Sequence, residues 1–223
     1  MLPEDISFTE ENYLKAIFHL SQNGEKDVFT NDISEYLKTK PASVTDMYRK
    51  LALKNLINHV KYQGVSLTET GKMTALQVVR KHRLWEVFLV EKLNFHWDEV
   101  HEVAEQLEHI KSTRLIQQLD KFLGSPQYDP HGDPIPDESG VMNIERKKLI
   151  IEAEIGDKGF VVGVQDTNPK FLKHLDRLEI GLKCSIKILD KIEYDGSVEI
   201  EVDKKRITSI SQQVAQNIFI SCP

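Results

Sequence analysis

The chain has 223 residues, 40% of them hydrophobic, with a net charge of −6, a length that suits one or two domains, or three small ones. It holds no run of about 18 apolar residues to span a membrane. Its first residues lack a basic segment followed by an apolar one, so a cytoplasmic protein is expected. Cys184 and Cys222 alone give neither a disulfide framework nor zinc-ligand spacing.

Ser7 to Leu20 reads as a first helix, with Ser7 and Glu10 at capping-box spacing. Tyr13, Leu14, Ile17, Phe18 and Leu20 form its apolar stripe, while Asn12, Lys15 and His19 fall on another face. A polar turn, 21–27, follows. Ile33, Tyr36 and Leu37 are helically spaced, and Lys38–Pro41 should turn, because proline disfavours helix at the residue before it. A second helix starts near Pro41, where the missing N–H costs nothing. It turns Val44, Met47, Tyr48 and Leu51 inward and leaves Ala42, Ser43, Thr45, Asp46 and Arg49 outward. Ile57–Val60 and Val65–Leu67 are β-prone runs around a turn at 61–64. Helix–turn–helix plus hairpin is a winged-helix pattern, with an ordinary α/β segment as the bland alternative. Between Lys38 and Lys81 nine basic residues face only Asp46 and Glu69. That local excess on an acidic chain is what a DNA-binding surface would look like, or a chance cluster.

Met73 to Leu93 should be one long helix, apolar on more than one side, as in a dimer interface. Asp98 to Lys111 should be another, with Asp98 as its cap. At roughly 100° per residue, His101, Glu105, Glu108 and His109 would share about a quarter of its circumference. Carboxylate oxygens and imidazole nitrogens grouped like this suit a divalent cation such as Mn²⁺, Fe²⁺, Zn²⁺ or Co²⁺. The competing reading is a solvated polar face, and His82 and Glu86, again at i, i+4, weigh against it. Ser112 to Leu123 gives a further helix. Gly124 to Gly140 holds four prolines and reads as a linker. From Val141 the period changes to that of strands: KLIIEAE, GFVVGV, CSIKILDKI, SVEIEV and KRITSI, interrupted by one helix at Pro169–Leu178. Five short strands suggest a small SH3-like barrel.

In order along the chain, FTEENYLKAIFHL, PASVTDMYRKLALKNLI, LTETGK, RKHRLWEVFL, VHEVAEQLEHI and DPHGDPIP resemble the diphtheria-toxin-repressor family of metal-dependent regulators, which includes a manganese-sensing branch. NPKFLKHLDRLEIG and VAQNIFI resemble its SH3-like (FeoA-like) domain. The resemblance implies a mainly α protein with a small β domain. Its parts would be a winged helix-turn-helix (1–73), a helical metal-binding and dimerisation domain (74–140) and an SH3-like domain (141–223). It further implies one metal site at Asn12, Glu105, Glu108 and His109, and a second at His82, Glu86 and His101. Asp129, His131 and an acidic residue of the SH3-like domain, Asp166, would add ligands as in some members. Asp129 stands where such members have cysteine. Lys15 stands where the manganese branch often has an acidic residue, which speaks against a closely spaced two-metal cluster.

The expected function is a homodimeric transcriptional repressor of metal-homeostasis genes that responds to Mn²⁺ or Fe²⁺ and binds a pseudo-palindromic operator, with no membrane and no small-molecule substrate as partner. Lys40, Arg49, Lys50 and Lys61 would contact phosphates, and Pro41, Ala42, Ser43, Thr45 and Asp46 would lie at the groove. A metal-dependent hydrolase is the rival reading, although no HExxH, nucleophile motif or phosphate loop is present. A metal-independent winged-helix protein is a third.

Overall fold

The computed structural model describes residues 6–22, 26–60, 64–144 and 146–221; the expectations for Lys61 and Cys222 lie outside them. By its contacts the chain divides into two units. The first comprises the chain up to His82, with Glu105–Gln117 and Pro136–Met142. The second comprises Arg83–Ala104, Gln118–Ile135 and the chain from Asn143 onward.

In the first unit, α1 runs from Phe8 to Leu20. The expected capping box is present: Ser7 Oγ accepts from the Glu10 N–H at 3.3 Å, and Glu10 Oε2 accepts from the Ser7 N–H at 2.8 Å. Tyr13, Leu14, Ile17 and Phe18 are buried with Ile33 of α2 (Thr30–Tyr36) and with Val44, Tyr48 and Leu51 of α3 (Pro41–Leu53). Lys38 takes the left-handed conformation between those helices, φ 49°, and Pro41 opens α3 as expected. Strands β1 (Ile57–Val60) and β2 (Gly64–Leu67) pair antiparallel as the wing. Val28 adds a bridge to Val65 through two 2.9 Å backbone bonds.

Helix α4 spans Glu69–Leu93, four residues longer at its start than its apolar pattern suggests. The cause is Thr68, whose Oγ1 accepts the Gly71 N–H at 3.0 Å and so starts the helix early. Gly71 lies against the chain entering the wing, where a Cβ would sit 1.8 Å from the Leu56 carbonyl oxygen.

The expected helix over 98–111 is shorter. α5 covers Val100–Leu107, and Glu108 and His109 lie in a turn closed by the Ile110 N–H on the Leu107 carbonyl, 3.2 Å. The single four-residue face therefore does not form as drawn. Asp98 does not cap the helix; its carboxylate pairs with His96 and, at 3.1 Å, with Lys173. α6 follows at Thr113–Phe122. Residues 124–140 contain neither helix nor strand, as their proline content implies.

The second unit is built on a six-stranded antiparallel sheet, not five strands, in the order β3-β8-β4-β5-β6-β7. The strands are Lys147–Leu149, Lys158–Val164, Ser185–Lys191, Val198–Val202, Arg206–Ile210 and Ile218–Ser221, taken as β3 to β8. KLIIEAE supplies only two of the three residues of β3, Lys148 and Leu149, because the Glu152 carboxylate accepts the Leu149 N–H at 3.1 Å and winds Ile150–Glu152 into a 3₁₀ turn. The extra strand comes from NIFI, which enters between β3 and β4. α7 (Pro169–Arg177) buries Leu172 and Leu175 against the inward residues Ile186, Ile188, Val198, Ile200 and Val202. A four-residue α8, Gln212–Ala215, precedes β8. Mainly α with a small SH3-like β part is thus the architecture.

Gly71→Ala is expected to lower stability by about 1–3 kcal/mol through overpacking against Leu56. Urea denaturation should show a lower midpoint with an unchanged slope.

Candidate metal centre and nucleic-acid interface

In the second unit, Glu86, Asp129 and His131 are all buried, and their ligand atoms lie within 4.8 Å of one another. Glu86 stands on α4, and the other two come from the proline-rich segment. That segment is locked in place. Asp129 Oδ1 accepts the N–H groups of His131 (2.8 Å) and Asp133 (3.0 Å), and the Val164 N–H of β4 donates to the His131 carbonyl at 2.9 Å. Gly132, φ +84°, presses on β4 so closely that a Cβ would lie 2.0 Å from the Val162 carbonyl oxygen, so the position needs glycine twice over. His131 Nδ1 is 3.7 Å from Glu86 Oε2, and its Nε2 is 2.8 Å from the Trp97 carbonyl. That carbonyl contact orients the ring, as outer partners do for ligand histidines. His101, more than half exposed, reaches Glu86 at 3.6 Å.

Burial first, then the charges of Glu86 and Asp133, push the Asp129 carboxyl up to about 7, with Arg83 (3.5 Å) opposing. Burial works to lower His131, but its bond to Glu86 and the charges of Glu86 and Asp129 outweigh it and raise the ring to about 9. Two buried carboxylates and an imidazole are a donor set that fits Mn²⁺ or Fe²⁺. Among the described residues, Asp166 joins no such group. Its Oδ1 accepts the Asn168 N–H at 2.8 Å, at the entrance to α7.

The first unit holds a different arrangement. His82, Glu105 and Glu108 also come within 4.8 Å, but a cation already sits among them. Lys15 Nζ donates to Glu105 Oε1 at 2.5 Å and to both Glu108 oxygens at 2.7 and 2.8 Å. His82 Nδ1 lies 2.6 Å from Glu108 Oε2. Glu108 is fully buried; burial would raise its pKa, and His82 and Lys15 together hold it below the usual carboxylate range. His109 turns to Glu11 of α1, 2.6 Å, beneath the stacked ring of Phe8, and Lys81 joins Glu11 at 3.3 Å. Asn12, expected in this group, faces elsewhere. Its Oδ1 is buried without a hydrogen-bond partner, and the residue lines a cleft with Thr39, Ser43, Asp46 and Lys50.

Helix α3 presents Lys40, Pro41, Ala42, Ser43, Asp46, Arg49 and Lys50 exposed, with Thr45 half-buried and its Oγ1 donating to the Pro41 carbonyl. Arg49 and Asp46 pair at 3.0 Å on the open surface. The contributors that sequence reasoning missed are Glu11, Arg83 and Trp97. Each acts through a neighbour distant in sequence, so only the i, i+4 spacing of Glu11 and Lys15 offered a signal.

Three family models match in succession: iron dependent repressor, N-terminal DNA binding domain, over residues 5–65; iron dependent repressor, metal binding and dimerisation domain, over 68–137; and FeoA domain over 150–222. The diphtheria toxin repressor of Corynebacterium diphtheriae is 31% identical over 93% of this chain and 94% of its own length. The chain belongs to the diphtheria-toxin-repressor family. The iron-dependent repressor IdeR of Mycobacterium tuberculosis is 34% identical over 57% of the chain, and the chain spans about half the length of the curated iron-dependent repressors it matches. A solved manganese-dependent transcriptional repressor in complex with manganese superposes with a TM-score of 0.85 at 33% identity, covering 96% of this chain and 100% of that one. The family's three-part order thus runs through both units.

The two shifts at Glu86's partners act in one direction. Ionising Asp129 costs stability between its ordinary 3.8 and about 7, and the stabilising charge of His131, complete below 6.5, is lost as pH rises through about 9. The metal-free chain should therefore melt at progressively lower temperature from pH 5 to 9. Saturating Mn²⁺, which needs deprotonated donors, should reverse that slope; calorimetry across the range checks it. Gly132→Ala should weaken Mn²⁺ binding at least about 10-fold by displacing the loop, read by titration calorimetry.

Proposed function

We propose that this chain is a metal-activated transcriptional repressor, a cytoplasmic homodimer that binds a pseudo-palindromic operator and responds to Mn²⁺ or Fe²⁺. The single observation that carries the reading is the buried Glu86–Asp129–His131 group, two carboxylates and an imidazole within 4.8 Å of one another, in a chain that also presents an exposed α3.

When bound, the ion would supply positive charge to Asp129, whose carboxyl is pushed up to about 7 by its burial and by its acidic neighbours. The chain's own residues do the rest. Glu86 sits on the C-terminal part of α4, a helix continuous from Glu69 to Leu93 whose N-terminal part, Ala75, Leu76 and Val79, is packed in the winged-helix core. A coupling of roughly 1–3 kcal/mol between metal binding and DNA binding would be ordinary for such a regulator. Asp129 in place of the cysteine of other members keeps the donors hard, which favours Mn²⁺ or Fe²⁺ over Zn²⁺. Lys40, Arg49 and Lys50 would contact phosphates while Pro41, Ala42, Ser43, Thr45 and Asp46 meet base edges. Leu93 and Phe122, large and exposed, fit a homodimer contact. The three-domain division at 73 and 140 is retained as part of this reading. The solved relative's manganese supports the choice of ion.

Fluorescence anisotropy on labelled DNA from upstream of this protein's own gene tests the reading, with apo-protein and then Mn²⁺, anaerobic Fe²⁺ or Zn²⁺ at fixed salt. Tight binding is expected only with Mn²⁺ or Fe²⁺. Glu86→Ala or His131→Ala should remove the metal response. Arg49→Ala and Lys50→Ala should each reduce the salt slope by about one. Equal binding with and without metal would refute the regulator and favour a metal-independent DNA-binding protein.

A further inference from the structure

We propose that Lys15 is a built-in cation that takes the place of a metal ion in the first unit, so that no divalent ion binds at Glu105 and Glu108. The inference rests on the Glu86 reading only for where metal dependence is left. Its own support is separate.

An ammonium has three N–H donors, and all three of Lys15's are met by carboxylate oxygens at 2.5, 2.7 and 2.8 Å. The group is buried, its side chain 9% exposed beside a fully buried Glu108. Glu105 and Glu108 raise the Lys15 pKa against the lowering effect of its burial. A divalent ion needs the same oxygens at about 2.0–2.6 Å, within contact distance of the ammonium it would meet there. Like charges at that separation exclude each other, so an ion enters only if Lys15 leaves. Leaving would strand a buried ammonium.

The lysine also performs the mechanical task of a metal. It ties α1, through residue 15, to Glu105 on α5 and to Glu108 in the turn after it. Glu11 makes a second tie from the same helix to His109. Helix α1 is thereby fixed to those residues whether or not metal is present, and metal dependence is left to the Glu86 group.

The test is Mn²⁺ binding to the full chain by titration calorimetry and elemental analysis after dialysis, with thermal midpoints in parallel. In a Glu86→Gln background, the chain with Lys15 should take up no Mn²⁺ and show no shift in its midpoint. Adding Lys15→Met should create uptake of one ion and a midpoint that rises with Mn²⁺. Adding Glu108→Gln as a third change should abolish both again. Lys15→Gln, which keeps hydrogen bonds to the carboxylates, should give the same gain at weaker affinity and serves where Lys15→Met does not fold. Mn²⁺ uptake in the Glu86→Gln chain that is lost on Glu108→Gln overturns the proposal, as does a folded Lys15→Met chain that gains no ion. A wild-type chain that takes up no Mn²⁺ overturns the Glu86 reading instead, while the gain on Lys15→Met still decides this one.

Discussion

A carboxylate removed from water must be given positive charge or must take up a proton, because the isolated anion costs too much to bury. This constraint shapes both units, and they meet it differently. Glu108 is matched within its own unit by Lys15 and His82, and it stays ionised. Glu86 and Asp129 have Arg83 at the edge and a histidine between them, and Asp129 remains short of charge. One group is complete as folded. The other is stable only in company with a proton or an ion, which makes it responsive to its surroundings.

The scaffold explains why the second group stays unsatisfied. Its ligands are held by backbone, not by their own preferences. The His131 carbonyl is fixed to the β4 backbone, the Trp97 carbonyl is fixed on the His131 ring, and Gly132 admits no side chain between loop and strand. With so little freedom, Asp129 cannot relax toward water, and its raised pKa is the visible cost. A looser loop would gain stability and lose the site, a familiar trade between preorganisation and comfort.

Much of this architecture was legible in the sequence. The Ser7–Glu10 box, Pro41, the wing and the alternation of VEIEV each report a local rule, and local rules were obeyed. The failures were equally physical. A helical wheel places Glu108 beside His101 only while the helix lasts, and α5 ends at Leu107. Lys15 was read as a cation unwelcome near a metal; that it would meet Glu105 and Glu108, ninety and ninety-three positions away, is a tertiary fact no periodicity encodes. NIFI is too short to declare itself a strand until two neighbours pair with it. The Glu152 side chain competed successfully for the Leu149 N–H, and a strand became a turn.

The donor set around Glu86 has a chemical consequence beyond its choice of ion. It consists of carboxylates and imidazole and contains no sulfur, and the one described cysteine, Cys184, belongs to no such group. Thiolate ligands climb the ladder from sulfenic to sulfonic acid when peroxide rises, and they carry their metal site with them. Aspartate at position 129 has no such ladder to climb. With Mn²⁺ as its ion, a site of these donors would offer peroxide no ligand thiolate to oxidise.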